Sequence, residues 1–290
     1  MARSIAILYF SGTGNTEALA EDFRNEFRKK KKKTELIRVE DLLSGKAVFR
    51  PKDHDLIGIG YPIHALSFPR IFVRFLRDLP RAQDKRTFIF KSPGDPFGNG
   101  GSTAYLRKKL NQKGYQVIYE TTLVMPANVF FRYPDSMIKQ LFLHAQKKIK
   151  QAVDEILHNT VRLQKNNLFL DIFTEFFNRG AHLACYLFGK EMRTTKACNL
   201  CLVCVKKCPT QNIRLEQKKI KFGRKCTLCV KCFCICPKNA VYYRGMKWAI
   251  VKPWYDLARI MKDRQIRPDH LTPRTRGYFR RFYKYLIKNQ

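Results

Sequence analysis

The sequence predicts an α/β doubly wound five-stranded parallel sheet, followed by a small α+β module built on cysteines. Three observations carry this. Over residues 1–160, short apolar runs alternate with helical patterns. Eight of the nine cysteines from Cys198 to Cys236 repeat one spacing twice, and no cysteine precedes Cys185. Strand–helix alternation puts helices on both faces of a parallel sheet, and 290 residues suffice for about two domains.

The elements follow in order. Residues 4–9, Ser-Ile-Ala-Ile-Leu-Tyr, are an unbroken apolar run suited to a strand buried on both faces. Residues 15–31 read as a helix, with the lysine run 29–33 at its C-terminal end, where cations suit the dipole. Further strands are expected at 36–39, 55–59, 87–90 and 117–124, and helices near 68–77, 102–112 and 136–159. A connector spans 161–193. Its Phe169, Ile172, Phe173, Phe176, Gly180, Leu183 and Leu187 recur at helical spacing, opposite Asp171, Glu175, Asn178 and His182. The apolar face is expected to dock between the two domains, and its polar interruptions exclude a transmembrane span. The cysteine module covers 194–244 and a basic aromatic tail 245–290. In the tail Phe279, Phe282, Tyr283 and Leu286 form a stripe framed by Arg280, Arg281, Lys284 and Lys288. Packing over the cysteine module and peripheral contact with an anionic membrane or acidic partner are the two readings of that stripe.

The first strand runs into Ser11-Gly12-Thr13-Gly14-Asn15-Thr16. A small, hydroxyl-rich turn opening a helix presents backbone N–H groups and the dipole to a phosphate, with hydroxyls adding bonds. Glu17 stands where a dinucleotide fingerprint needs a third small residue, and no Gly-Lys-Ser/Thr follows for a P-loop. The chain here resembles the flavodoxins. Ser11, Thr13, Asn15 and Thr16 match that family's FMN phosphate loop. The resemblance implies an FMN domain over 1–160, with two ring-flanking loops. These are Gly60-Tyr61-Pro62-Ile63-His64-Ala65 and the stretch 92–101, with Pro93, Gly94 and Asp95. Tyr61 is then the expected stacking ring, and Gly94 allows close backbone approach. His64 is expected as a solvated loop histidine. Phe97 is the only aromatic offered for the outer stacking position.

The cysteine runs read Cys198-x-x-Cys201-x-x-Cys204-x-x-x-Cys208-Pro209 and Cys226-x-x-Cys229-x-x-Cys232-x-x-x-Cys236-Pro237. This is the ligand run of bacterial [4Fe–4S] sites, in which the fourth cysteine serves the other cluster. Cluster I is therefore expected on Cys198, Cys201, Cys204 and Cys236. Cluster II is expected on Cys226, Cys229, Cys232 and Cys208. Zinc sites use four ligands, usually in two pairs, and do not explain the triplets. Cys185 and Cys234 fall outside the register and are expected to be structural. The segment resembles the two-cluster bacterial ferredoxins, and the whole order resembles fused flavodoxin–ferredoxin proteins. One departure is charge, since 194–244 holds twelve Lys/Arg against the single acid Glu216.

The chain carries 57 Lys/Arg and 23 Asp/Glu, a formal net charge of +34. Such a field attracts acidic partners or polyanions. No nucleic-acid-binding signature accompanies it, so acidic redox proteins are the expected partners. The combined expectation is a cytoplasmic electron-transfer protein with FMN and two [4Fe–4S] clusters. Two rivals stand beside it: a flavin-dependent reductase of an organic substrate, and an iron–sulfur regulatory protein that binds a polyanion. No paired acid and base in the ring loops supports the first rival.

Overall fold

The computed structural model describes residues 2–64, 66–97, 103–164, 168–245 and 254–288. The N-terminal part runs β1 (Ser4–Tyr9), α1 (Asn15–Lys29), β2 (Lys33–Arg38), α2 (Val39–Leu43), β3 (Leu56–Pro62), α3 (Ile71–Asp78), β4 (Lys85–Ser92), α4 (Ala104–Asn111), β5 (Tyr115–Thr122) and α5 (Asp135–Leu157). The sheet order is β2-β1-β3-β4-β5, with every neighbouring pair parallel. This is the flavodoxin-like order. It reverses direction between β1 and β3, and such sheets bind ligands at the carboxyl ends beside that switch.

The boundaries shift for local reasons. Lys31 adopts φ 58° and ends α1, so the lysine run is divided between the helix end and the start of β2. The short α2 was not expected. β5 starts at Tyr115, ahead of the expected strand, and its register with β4 slips between Thr87 and Phe88. Alternation along β1 sends Ile5, Ile7 and Tyr9 to one layer and Ala6, Leu8 and Phe10 to the other. The first layer packs under α1 and α5, the second under α3 and α4.

Two glycines in β3 make room for aromatic rings. Gly58 pairs with Phe88 and Gly60 with Phe90. A Cβ at Gly58 would lie 2.5 Å from Phe88 Cζ, and one at Gly60 would overlap the Phe90 ring. Phe23 of α1 covers both rings, with centroids 5.3 and 4.8 Å away. The ring faces thus replace the missing side chains, a cross-strand packing that stabilises otherwise weak strand glycines.

The C-terminal part begins with α6 (Leu168–Glu191), then β6 (Met192–Thr194), α7 (Val203–Lys206), β7 (Ile213–Glu216), β8 (Lys219–Phe222), α8 (Lys231–Cys234) and β9 (Val241–Tyr243). β6 pairs antiparallel with β9, and β7 with β8. Two strand–turn–strand repeats therefore interlock through their outer strands. The connector helix corrects one expectation. Phe176, Leu183 and Leu187 were expected on a docking face, yet they are 80%, 65% and 57% exposed. The inward positions are Cys185 and Gly189, because Gly189 sits against the Gly223 carbonyl and Cys226 Cβ, where no larger residue fits. The side chains of Phe169, Asp171, Ile172, Phe173, Glu175, Asn178 and His182 lie outside the described residues.

The tail corrects another. Beyond 246–253, which lie outside the described residues, it forms α9 (Leu257–Lys262) and α10 (Arg280–Lys288). Both pack on the N-terminal domain and not over the cysteine module. Tyr255, Ile260, Leu271, Phe282 and Leu286 are buried with Val124, Tyr133, Met137, Ile138 and Leu141. The stripe, with its two readings of packing over the cysteine module or meeting a membrane or acidic partner, is instead spent on α5 and the end of β5, where burial removes apolar surface from water. Among the described residues no helix is long and apolar enough to cross a membrane.

The glycine–aromatic packing gives a direct test. Gly60→Ala should push Phe90 out of its rotamer and cost about 1–3 kcal/mol, as overpacked cores do. Urea unfolding should show a lower midpoint with an unchanged slope.

Candidate functional site

The turn after β1 is held by side chains from four places. Gly14 caps α1 with φ 104°, and no side chain caps that helix end. A left-handed residue here favours glycine. The Gly14 N–H donates to Ser11 Oγ at 3.1 Å. Thr16 Oγ1 and Ser92 Oγ share a hydrogen bond of 2.6 Å, tying the turn to the end of β4. Asn128 Nδ2 donates to Thr13 Oγ1 at 2.6 Å, and Asn15 Nδ2 donates to the Pro126 carbonyl at 2.9 Å. The buried Tyr255 hydroxyl lies 2.8 Å from Asn15 Oδ1 and 2.9 Å from Asn128 Oδ1. Burial raises its pKa far above the ordinary tyrosine value, so it stays a neutral donor. Uncapped first-turn N–H groups and three hydroxyls form a donor set that suits a phosphate.

The ring loops are occupied differently from expectation. Tyr61 is completely buried against Phe72, with ring centroids 5.2 Å apart. Its place near the end of β3 turns it into the second core layer, so it offers no free face for stacking. Pro62 and Ile63 are partly buried, and the Ile63 N–H donates to the Ser92 carbonyl at 3.3 Å. Ala65 and residues 98–101 lie outside the described residues. Pro93 is buried, and its carbonyl accepts from Met125 N–H at 2.9 Å. Gly94 faces Ala127, and its carbonyl accepts from the Tyr133 hydroxyl at 2.8 Å. Asp95 accepts from the Tyr278 hydroxyl and pairs with Arg281, both at 2.7 Å. The second loop is therefore anchored to the tail. Phe97 is well exposed.

The cysteines gather around two cavities. Cys208, Cys226, Cys229 and Cys232 line one of about 30 Å³. Cys198, Cys201, Cys204 and Cys236 line another of about 20 Å³. Each cavity thus takes three cysteines from one run and the last cysteine of the other. Neither Cys185 nor Cys234 lines them. The backbone repeats as the spacing does. Leu200 and Leu228, Leu202 and Val230, and Gln211 and Asn239 all have positive φ at matching offsets. Left-handed residues turn successive N–H groups to one side, forming a concave donor surface for anions. Accordingly Asn212 N–H donates to Cys208 Sγ and Ala240 N–H to Cys236 Sγ, both at 3.2 Å. Leu228 N–H lies 3.4 Å from Cys226 Sγ. Burial pushes the Cys226 thiol up to about 11 and raises those of Cys229 and Cys232 as well, with neighbouring thiols adding to the rise. Among the described residues no three His, Cys, Asp or Glu side chains are close enough to hold one metal ion.

The second run lies against the N-terminal domain. A Cβ at Gly12 would be 2.5 Å from the Cys229 carbonyl oxygen and 2.8 Å from its Cβ. His64 Nδ1 lies 3.1 Å from the Thr227 carbonyl. That oxygen only accepts, so Nδ1 carries the proton. Burial lowers the His64 pKa to about 4, so the ring is neutral at pH 7 and not a solvated cation. Ile71 N–H donates to Thr227 Oγ1 at 3.1 Å, and Arg70 donates to the Arg224 carbonyl at 2.9 Å. Lys231 faces Glu40 at 4.0 Å. The sequence signalled the turn and the cysteines. It gave no sign that Asn128 and Tyr255 join the turn, or that Thr227 meets His64, because these contacts span more than a hundred residues.

No family model and no curated protein matches the chain. Several solved flavodoxins are similar to about half of it. An archaeal flavodoxin is 16% identical with a TM-score of 0.39, covering 53% of this chain and 99% of its own. The two-electron reduced Megasphaera elsdenii flavodoxin is 24% identical with a TM-score of 0.38, covering 52% and 98%. A flavodoxin of Streptococcus pneumoniae TIGR4 is 14% identical with a TM-score of 0.40, covering 54% and 99%. The flavodoxin-like fold of the N-terminal part rests on its own strand order and register.

The tail's grip on the turn is testable. Tyr255→Phe keeps the ring packing but removes the hydroxyl shared by Asn15 and Asn128. It should cost about 1–2 kcal/mol in equilibrium unfolding, since a buried acceptor oxygen loses its donor.

Proposed function

We propose that this protein is an electron carrier holding one FMN and two [4Fe–4S] clusters. The carrying observation is the pair of cavities, each lined by three cysteines of one run and the last of the other. Cys198, Cys201, Cys204 and Cys236 would hold cluster I, and Cys226, Cys229, Cys232 and Cys208 cluster II. The residues fit such groups. The thiols line cavity walls and do not converge on one point, whereas a tetrahedral zinc would draw sulfurs to about 2.3 Å from a single centre. Backbone N–H groups aimed at the sulfurs suit thiolates, whose charge a cluster stabilises.

The turn at Ser11, Gly12, Thr13, Gly14, Asn15 and Thr16 would hold the FMN phosphate. Its uncapped helix end and hydroxyls fit one terminal phosphate, and no adenosine fingerprint accompanies it. Pro62, Ile63, Pro93, Gly94 and Asp95 lie on the loops that would flank the ring. Tyr61 supports them from the core and does not stack. When bound, the flavin supplies one- or two-electron chemistry and each cluster one-electron chemistry. The chain's own part is to fix the second cysteine run against the phosphate turn, which keeps these centres close. Residues 1–160 form the FMN domain on this reading, 161–193 a connector, 194–244 the two-cluster domain and 245–290 the tail. The thiols need a reducing compartment, so we place the protein in the cytoplasm. Its charge of +34 suits acidic redox partners.

Protein purified without oxygen should contain about eight iron and eight sulfide per chain, from the two-cluster count, and one FMN. Cys208→Ala should remove the second cluster and Cys236→Ala the first, each across the runs. Thr13→Glu should expel the flavin by placing a carboxylate at the phosphate turn. Zinc without sulfide in anaerobic protein, or no FMN binding at micromolar concentration, would overturn the reading.

A further inference from the structure

We infer that the face built by the first cysteine run is the docking surface for an acidic one-electron carrier protein, and that the second run is not. This rests on the cofactor reading above and names the surface through which those cofactors exchange electrons. The two runs share one cysteine spacing, but the fold places them unequally. The second run is turned inward. Thr227 is buried and bonded to His64 and Ile71, Cys229 backs onto Gly12, and Lys231 faces Glu40. The first run is turned outward. Cys201 is the one exposed cysteine among the ten. Leu200 beside it is 37% exposed.

Around that opening the charge has one sign. Lys196, Lys206, Lys207 and Lys238 are all exposed. Residues 194–212 contain no acid, and the two that flank them in sequence, Glu191 and Glu216, are paired with Arg244 and Arg214. A small apolar centre ringed by lysines matches a transient protein contact, where charge steers the encounter and little area is buried. A nucleic acid is the other polyanion to weigh. Residues 194–212 contain no aromatic side chain on which bases could stack, which favours the protein partner. In each encounter one partner would be oxidised and the other reduced by one electron.

The test uses the full-length holoprotein, an acidic [2Fe–2S] ferredoxin as probe, and a duplex oligonucleotide. The first variant combines Lys196→Glu, Lys207→Glu and Lys238→Glu. The control combines Lys46→Glu, Arg50→Glu and Lys52→Glu, exposed residues before the amino end of β3 with the same change in charge. At low salt the first variant should bind the ferredoxin at least about tenfold more weakly and exchange electrons with it correspondingly more slowly. The control should change either quantity less than about twofold, because it makes the same change in total charge without touching the first run or its lysines. Iron and sulfide contents should match the wild type in both. Equal effects in the two variants would overturn the inference, since the total charge and not this face would then govern docking. So would oligonucleotide binding that falls in the first variant while ferredoxin binding does not. Absence of iron and sulfide from the wild type would overturn the cofactor reading instead. The binding arm would still compare the two faces.

Discussion

The contact between the backbone of Cys229 and Gly12 is the constraint on which the arrangement depends. The turn after β1 can meet the second cysteine run only because position 12 has no side chain. Any Cβ there would enter the Cys229 carbonyl. The contact fixes the second run at the switch point of the sheet, the place where such sheets bind ligands. The bonds of Thr227 to His64 and Ile71 hold it in register, and Arg70 reaches the Arg224 carbonyl. His64 can serve because burial keeps its ring neutral. A charged imidazole would need a counter-ion that the Thr227 carbonyl does not supply.

Strain is concentrated around the cysteines. Leu200, Leu202, Leu228 and Val230 adopt left-handed backbone that non-glycine residues avoid. Residues held there cost of order 1–3 kcal/mol each and persist where surrounding structure over-determines them. Val230 is the sharpest case, because a β-branched residue is least tolerant of positive φ. The same offsets recur in both runs, so the geometry belongs to the repeat and not to one loop. Its visible product is a set of N–H groups directed at Cys208, Cys226 and Cys236.

The tail completes the N-terminal domain. Phe282 and Leu286 are buried against α5 and the end of β5, and Tyr255 reaches through to Asn15 in the turn after β1. Asp95, on the loop after β4, is held by Tyr278 and Arg281. The Ser11–Thr16 turn and the loop after β4 are thus braced by residues of the tail. The aromatic content of the tail is explained by this packing. Its basic residues remain at the surface around a buried stripe.

The sequence by itself determined the local features. Apolar alternation and turn residues placed five strands and their helices, because strand pleat and helix pitch impose their periods on neighbouring residues. The Ser11–Thr16 turn was legible because a helix start and its hydroxyls lie within six residues. The pairing of Cys208 with the second run was legible because the ligand run carries it. Tertiary structure decided what is long-range. Tyr61 was misread because the same aromatic type suits a ring stack and a core, and only its place in β3 settles which. The connector's exposed Phe176, Leu183 and Leu187 and the tail's docking on α5 were not legible either. An amphipathic stripe states that a face is apolar but not what covers it. The unequal placement of two cysteine runs of one spacing is the clearest instance. Their spacing is the same, and only contacts across the domain boundary turn one inward and leave Cys201 of the other exposed.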